Sequence, residues 1–310
     1  MPFVRPEIIR PPSEHDSYYL PLTSGCSNHT CTFCAFTFSN LGIRELDEVK
    51  QEIDAMALYM KHHIWAAGVP DIVYAILRDW NGKKVFLQDG DALVYPHPKL
   101  MEALQYLNQK FPALERIASY ATPQDILRRS VEELKALKDQ KLGILYMGVE
   151  SGDDEVLQRI QKNATHHQIV EAAKKVKESG ILLSVTVILG LGGVNGSEKH
   201  ALETARILTE MDPDYAGALT LTLIPETPLY KEWERGEFEL ITPFDSLGEL
   251  KTIVENSSFS HCFFSSMHAS NYYAIRGSMP EDKEKVLKQL NALLSKRDPD
   301  MLRPEYLRGL

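Results

Sequence analysis

The sequence predicts an α/β fold, a parallel sheet whose strands are joined by helical crossovers, and three observations carry that expectation. Short apolar runs rich in β-branched and aromatic residues alternate with longer stretches whose apolar residues recur at helical spacing. Six such alternations follow one another between Tyr18 and Asn256, with no linker-like stretch and no exact repeat. The chain has 310 residues, 44% of them apolar, enough for a sizeable core in one large domain or two small ones. Periodicity does not separate an open doubly wound sheet from an incomplete barrel.

Residues 1–17 carry Pro2, Pro6, Pro11 and Pro12 among charges and read as an irregular lead-in. Tyr18-Tyr19-Leu20-Pro21-Leu22 is the first strand and runs straight into a cysteine-bearing loop. Leu46, Val49, Ile53, Met56 and Met60 place a helix from about Ile43 to Met60. A short helix over residues 72–77 follows the Gly68-Val69-Pro70 break, and Lys84–Leu87 is the second strand. A helix over 98–110 and a strand over 115–121 come next. Thr122 then caps a helix with Pro123 in its first turn, expected to run unbroken through Ile126, Leu127, Val131, Leu134 and Leu137. Strands are expected at Leu142–Val149, Ile181–Leu189 and Tyr215–Ile224. The helices between and after them are Asp153–Gln161, one opened by a Thr165…Gln168 capping box, Ser197–Glu210 and Phe244–Asn256. Beyond residue 257 the pattern yields one further helix, about Glu281–Leu294.

Composition narrows the function. A net charge of −9 argues against broad contact with nucleic-acid phosphates, which needs a basic face. No run approaches the ~18 apolar residues of a membrane span, and the N-terminus lacks the apolar centre of a signal peptide. The expectation is a cytoplasmic protein with no membrane partner. Four cysteines, three of them clustered, do not make a secreted disulfide framework.

The chemistry centres on Gly25-Cys26-Ser27-Asn28-His29-Thr30-Cys31-Thr32-Phe33-Cys34, which holds three of the four cysteines. Three thiolates on one loop suit an iron–sulfur cluster with one iron left open. Two other readings stand beside it at this level. Cys26, His29, Cys31 and Cys34 could close a Cys3His zinc site, and Cys31 with Cys34 could form a redox pair.

Cys26-x4-Cys31-x2-Cys34, with Phe33 before the last cysteine, resembles the cluster loop of the radical S-adenosylmethionine (radical SAM) superfamily, although the common pattern has three residues in the first gap. The resemblance extends over roughly residues 18–230. Asp89-Gly90-Asp91 is similar to the segment that receives the amino group of SAM, with Asp91 at the place of the usual acid. Glu150-Ser151-Gly152-x-Asp154-x-Val156-Leu157 resembles a segment of relatives near the methylthiotransferases and cobalamin-dependent members. There the residue matching Glu150 bonds the SAM ribose, and a basic residue further on, matched by Lys162 or Arg159, meets the SAM carboxylate. Leu189-Gly190 resembles the segment whose backbone lies along the adenine, and Ile224-Pro225-Glu226-Thr227-Pro228-Leu229-Tyr230 resembles a Pro-Gly-Thr-Pro-Leu-Tyr turn with Glu226 in place of glycine.

The resemblance implies a partial (β/α)6 TIM-like barrel over 18–257 and a C-terminal extension, 258–310, closing its mouth. It implies a [4Fe-4S] cluster on Cys26, Cys31 and Cys34, and SAM contacted by Phe33, Asp89, Gly90, Asp91, Glu150, Ser151, Lys162 or Arg159, Leu189, Gly190 and Ile224. It also implies a small-molecule or peptide substrate and an electron donor such as flavodoxin or ferredoxin. In the extension, His268, Asn271, Tyr272 and Cys262 are the candidates to meet substrate, with Arg276 beside them. The absence of an N-terminal cobalamin-binding region, a second cysteine cluster or a further cysteine pair argues against cobalamin-dependent methylation, multi-cluster peptide maturation and methylthiolation. The reading from a different class is a non-enzymatic iron–sulfur or zinc sensor, which needs the cysteines but none of the SAM contacts.

Overall fold

The computed structural model describes residues 3–309. In chain order its elements are β1 (Tyr18–Pro21), β2 (Thr23–Ser24), β3 (Gly42–Ile43), α1 (Leu46–His62), α2 (Asp71–Leu77), β4 (Lys84–Gln88), α3 (His97–Lys110), β5 (Arg116–Ala121), α4 (Pro123–Leu127), α5 (Val131–Asp139) and β6 (Leu142–Glu150). There follow α6 (Asp154–Arg159), α7 (His166–Ser179), β7 (Leu182–Leu189), α8 (Gly193–Met211), β8 (Tyr215–Thr220), α9 (Pro228–Glu234), α10 (Pro243–Asn256), β9 (Cys262–Ser265), β10 (Arg276–Met279) and α11 (Lys283–Lys296). The main sheet has eight strands in the order β1-β4-β5-β6-β7-β8-β9-β10. β1 with β4, β4 with β5, β7 with β8 and β8 with β9 pair in parallel, and the last strand, β10, runs antiparallel to β9. Six strands in sequential order with crossover helices, then an added β9–β10 pair, make the α/β fold class of a partial (β/α)6 barrel with a C-terminal extension.

Departures from the sequence pattern have local causes. The helix expected after Thr122 is broken in two because Ser130 makes a full capping box with Glu133 and starts a new helix. β8 stops at Thr220, and the stretch expected to continue it to Ile224 leads instead into α9, capped by Thr227 with Pro228 in its first turn. β9 and β10 escaped the pattern because four-residue strands next to loops carry too few alternations to register.

The chain packs as two compact units. One comprises the residues up to His29, Phe38–Tyr146 and Lys175–Leu182; the other comprises Thr30–Thr37, Met147–Lys174 and the chain from Leu183 onward. In the first, Tyr19, Phe86, Ala118, Ile144 and Tyr146 form one buried layer, with the Phe86 and Tyr120 rings edge to face at 5.0 Å. Its N-terminal lead-in is anchored by charge. Arg5 and Arg44 both hold the buried Glu52 carboxylate, at 2.9 and 2.7 Å, and Tyr18 donates to it at 2.6 Å. Glu14, fully buried, is satisfied by Ser17, Tyr146 and Arg116. A buried carboxylate stripped of such partners costs several kcal/mol, so these pairs hold the segment down.

In the second unit α8 packs on α10, and α10 on α11. β7 alternates: Leu183, Val185, Val187 and Leu189 are buried, whereas Ser184, Thr186 and Ile188 are only half-buried. The turn after β6 lies hard against α8. A Cβ on Gly152 would stand 2.0 Å from the carbonyl oxygen of Glu203, and its own N–H donates to Thr204 Oγ1 at 3.1 Å. We therefore expect Gly152→Ala to lower unfolding free energy in urea by about 1–3 kcal/mol, the scale of core overpacking. Gly196→Ala, where an added Cβ meets nothing within 4 Å, is expected to be neutral or to stabilise by up to about 1 kcal/mol.

Candidate functional site

In the first unit the cluster loop opens at Gly25, whose φ of +76° only glycine adopts freely and where a Cβ would stand 2.7 Å from the Asn40 carbonyl oxygen. The Gly25 N–H donates to Asp89 Oδ2 at 3.1 Å, and Thr23 Oγ1 accepts from the Asp89 N–H at 3.3 Å. Gly90 lets this turn close on the loop, since a Cβ there would lie 2.9 Å from Cys26 Cβ. The two acids of Asp89-Gly90-Asp91 have different tasks. Asp91 is fully buried: Oδ1 accepts from Leu93 N–H at 2.7 Å, and Oδ2 from Thr122 N–H at 2.8 Å and from Ser27 Oγ at 3.4 Å. Burial first, then the neighbouring Asp125 carboxylate, pushes the Asp91 pKa well above the usual range. The place expected to bind an ammonium thus holds a structural group that ties the cysteine loop to the end of β5. Asp89 is the acid with capacity to spare. Its Oδ1 is buried and has no hydrogen-bond partner, and burial raises the carboxyl to about 6 against the pull of the Gly25 and Gly90 N–H groups.

In the second unit the rest of the loop is stitched to the residues after α6. Thr32 N–H donates to Ile160 O at 3.0 Å, Thr30 Oγ1 donates to Gln161 O at 3.1 Å, and Asn163 Nδ2 donates back to Thr30 Oγ1 at 2.7 Å. Leu229 N–H donates to Thr32 O at 2.9 Å, so the first turn of α9 is tied to the same segment. Cys31 is buried, Cys34 and Phe33 are half-buried, and His29, the histidine of the zinc reading, is exposed. All four cysteines are thiols. Among the described residues no group of three or more His, Cys, Asp or Glu side chains stands close enough to hold a single metal ion.

At the end of β6, Glu150 has φ of +66°, a conformation uncommon outside glycine and here not explained by a helix C-cap. Its carboxylate meets the buried Lys162 ammonium at 2.7 Å. Gly148 makes room for the pair, since a Cβ there would be 2.1 Å from Glu150 Oε1. Arg159, the other basic candidate, is turned to Glu232 at 3.1 Å and lies over the Phe238 ring.

Beneath these strand ends the second unit holds a buried polar chain that sequence reading missed. Asp153 N–H donates to Ser151 Oγ at 3.0 Å, Ser151 Oγ lies 2.8 Å from His200 Nδ1, and His200 Nε2–H donates to Ile188 O at 3.1 Å; burial favours the neutral imidazole, whose Nδ1 then accepts from the Ser151 hydroxyl. Ser151, expected among the SAM contacts, has its hydroxyl bonded within this chain of groups. Glu249 on α10 accepts from Gly190 N–H at 2.7 Å and Ser197 Oγ at 2.6 Å, and its Oε2 is 3.9 Å from His200 Nε2. Burial pushes Glu249 up to about 7 and His200 down to about 4. Helical periodicity marks Leu247, Leu250 and Ile253 as core but carries no sign that Glu249 goes in with them.

Leu189 and Gly190 line a cavity of about 300 Å³ beyond β7 and β8, with Leu223, Trp233, Tyr272 and Arg308. Ile224 is half-buried, its carbonyl accepting from Thr227 Oγ1 at 2.7 Å. Glu226 takes φ of +67°, the conformation for which the related turn uses glycine.

Of the residues expected to meet substrate, Asn271 is buried and spent: Nδ2 donates to Ala218 O and Ser266 O, and Oδ1 accepts from Thr220. Cys262 is fully buried in β9, in register with Met279. His268 Nδ1 accepts from the Ser270 N–H at 3.2 Å, and burial holds its pKa below the usual imidazole value. Arg276 lies on β10 with an exposed side chain. Tyr272 is the member of the set that reaches the cavity.

Comparison with known proteins agrees with this architecture. The sequence model of the Radical SAM superfamily matches residues 20–205. The heme chaperone HemW of Bacillus subtilis is 23% identical over 237 residues, covering 75% of this chain and 58% of that protein. A tRNA-2-methylthio-N(6)-dimethylallyladenosine synthase of Thiobacillus denitrificans is 26% identical over 221 residues, covering 69% of this chain and 45% of its own length. The chain thus spans about half the length of these curated relatives. Among solved structures, coproporphyrinogen III oxidase (HemN) from Escherichia coli, a radical SAM enzyme, superposes with a TM-score of 0.54 at 15% identity, over 77% of this chain and 51% of that one. The methyltransferase TsrM from Kitasatospora setae, with cobalamin and a [4Fe-4S] cluster bound, gives 0.53 at 17% identity, over 71% and 37%.

Fold and site together define an α/β protein of partial-barrel class with three cysteines on the loop after its first strand. The chain belongs to the radical SAM superfamily, whose members are enzymes and whose cofactors are a [4Fe-4S] cluster and SAM. The residues present fit those groups: an orphaned buried acceptor at Asp89, glycine-made room at Gly90 and Gly148, and three thiols in nine residues.

The buried pair supplies a pH test. His200, lowered, loses stability as pH falls from about 6.5 toward 4, and Glu249, raised, loses it as pH rises from about 4.5 toward 7. In the wild type the two slopes offset between about pH 4.5 and 6.5. Glu249→Gln is expected to lose about 3 kcal/mol on acidification through that window, and His200→Gln about 3 kcal/mol on alkalinisation, by urea unfolding at a series of pH values.

Proposed function

We propose that the protein is a radical SAM enzyme that abstracts a hydrogen atom from a small-molecule or peptide substrate, reduced by a donor such as flavodoxin or ferredoxin. The observation that carries the reading is the Glu150–Lys162 pair, strained in backbone, buried, and placed at a strand's carboxyl end inside the segment the family match covers. A module that only held metal has no use for it.

Bound together, the reduced cluster and SAM supply methionine and a 5′-deoxyadenosyl radical. The protein's share is holding and orienting. Cys26, Cys31 and Cys34 are the thiolates for three irons. Asp89 Oδ1, without a partner, is the acceptor for the ammonium of SAM. Its carboxyl, near 6 when alone, is favoured as carboxylate by an adjacent cation. Lys162 is the donor for the SAM carboxylate, in preference to Arg159, which is spent on Glu232. Glu150, fixed in direction by Lys162, is the acceptor for the ribose hydroxyls, and the backbone at Leu189-Gly190 is the wall for the adenine.

A second reading, binding without catalysis, has one observation behind it: the Bacillus subtilis relative is named a chaperone. Anaerobic reconstitution with iron and sulfide, then reduction with SAM, decides. The enzyme reading expects 5′-deoxyadenosine above a control without reductant, and none from Cys31→Ala. Lys162→Met and Asp89→Asn are expected to weaken SAM binding by about 10- to 100-fold while the cluster's absorption stays, the scale of a lost charge-assisted hydrogen bond. A verified four-iron cluster that yields no 5′-deoxyadenosine with any substrate would favour the binding reading.

A further inference from the structure

The cavity beyond β7 and β8 has a built polar head, and we propose that it binds a ligand with an apolar body and one carboxylate, received by Arg308. Calling that ligand the substrate rests on the enzyme reading above; the binding itself does not. The apolar walls are Leu223, Tyr230, Trp233, Leu240 and Ile241. Arg308 reaches in from the C-terminal segment with its side chain 5% exposed. Its fork is fixed along one edge by groups that the fold itself holds. Nε donates to Ser270 O at 2.6 Å, and Nη2 to Leu221 O at 2.8 Å and Thr222 Oγ1 at 3.2 Å. Its Cζ lies over the Tyr272 ring, 4.3 Å from the ring centroid. The Ser270 end is itself anchored, since Thr220 N–H donates to Ser270 Oγ at 3.2 Å.

Those acceptors satisfy hydrogen bonds but leave the charge. The remaining edge, Nη1, points to Tyr272 Oη at 2.7 Å and to both oxygens of Glu305, at 2.7 and 2.9 Å. Glu305 comes from a single short turn, Glu305–Leu307, and its side chain is 70% exposed. It also accepts from Tyr272 Oη at 2.7 Å. A buried guanidinium therefore faces the cavity with its one anionic partner held from the solvent side. A ligand carboxylate entering along the apolar walls can take both donors, Nη1–H and Tyr272 Oη–H, while Glu305 swings out to water at little cost. A cationic ligand has no such vacancy, because the exposed Glu305 already shares its oxygens with Arg308 and Tyr272.

Trp233 on the cavity wall gives the readout, quenching of tryptophan fluorescence in the full chain, with Trp233→Phe as the control for site. The probes are 3-phenylpropionate for a free acid and acetyl-Gly-Phe for a peptide terminus, against 3-phenylpropanol and 3-phenylpropylamine. The proposal expects at least one acid to bind about tenfold or more tighter than the alcohol, and the tighter acid names the source. Arg308→Gln is expected to erase the preference. Glu305→Gln, an exposed change that leaves the fold alone, is expected to tighten the acid several-fold by removing its competitor. Equal affinity for acid and alcohol, tightest binding by the amine, no effect of Glu305→Gln, or no saturable quench each overturns it. Displacement of the acid by adenosine, with undiminished adenosine affinity in Arg308→Gln, assigns the cavity to the nucleoside and also overturns it. Because no cluster or reductant is present, failure here is separate from failure to form 5′-deoxyadenosine.

Discussion

Backbone that leaves a parallel sheet must find new hydrogen-bond partners, and much of this structure follows from how it does so. At the carboxyl ends of the strands, buried side chains supply the acceptors. Asp91 takes the Thr122 N–H after β5, Ser151 the Asp153 N–H after β6, Glu249 the Gly190 N–H after β7, and Ser270 the Thr220 N–H at the end of β8. Each of these groups is buried, and each fixes the path of a loop that carries a residue with chemical use. Because the loops are pinned from below, the groups above them can remain under strain or unpartnered.

That division of labour explains which acids are available for chemistry. In a segment such as Asp89-Gly90-Asp91 both carboxylates look equivalent on paper. One is consumed by three donors, and the other keeps a buried oxygen with none. Likewise Lys162 and Arg159 are both basic and one helical turn apart, yet one is paired with Glu150 in the interior and the other with Glu232 outside. The acids, both buried, differ in hydrogen-bond partners and the bases in burial, and a desolvated, oriented group interacts with a ligand charge more strongly than a hydrated one.

Much of the fold was legible beforehand because its signals are local. Helical spacing located α1 and α3 to within a few residues, the Thr165…Gln168 capping box marked the start of α7, and Thr122, with its proline, was a correct cap. What failed were features in which a partner far along the chain decides the outcome. The pair β9–β10 and the burial of Asn271 depend on contacts that neither composition nor period encodes, whereas the break at Ser130 is local, set by its capping box with Glu133. The cysteine loop was legible at the level of motif, and Glu226, which stands where the resemblance implies glycine, has a left-handed backbone. Glu249, His200 and Arg308 had no signal: each is a polar residue in ordinary surroundings until the fold buries it.

By itself the sequence determined the alternation of strands and helices, the cysteine loop and the superfamily, since periodicity and a nine-residue motif are written in adjacent residues. The tertiary structure decided which acid is spare, which base is buried, and that a C-terminal arginine faces a cavity at the strand ends. Those outcomes turn on desolvation and on hydrogen bonds between residues scores of positions apart, as from Leu221 to Arg308, and only folding brings such partners together.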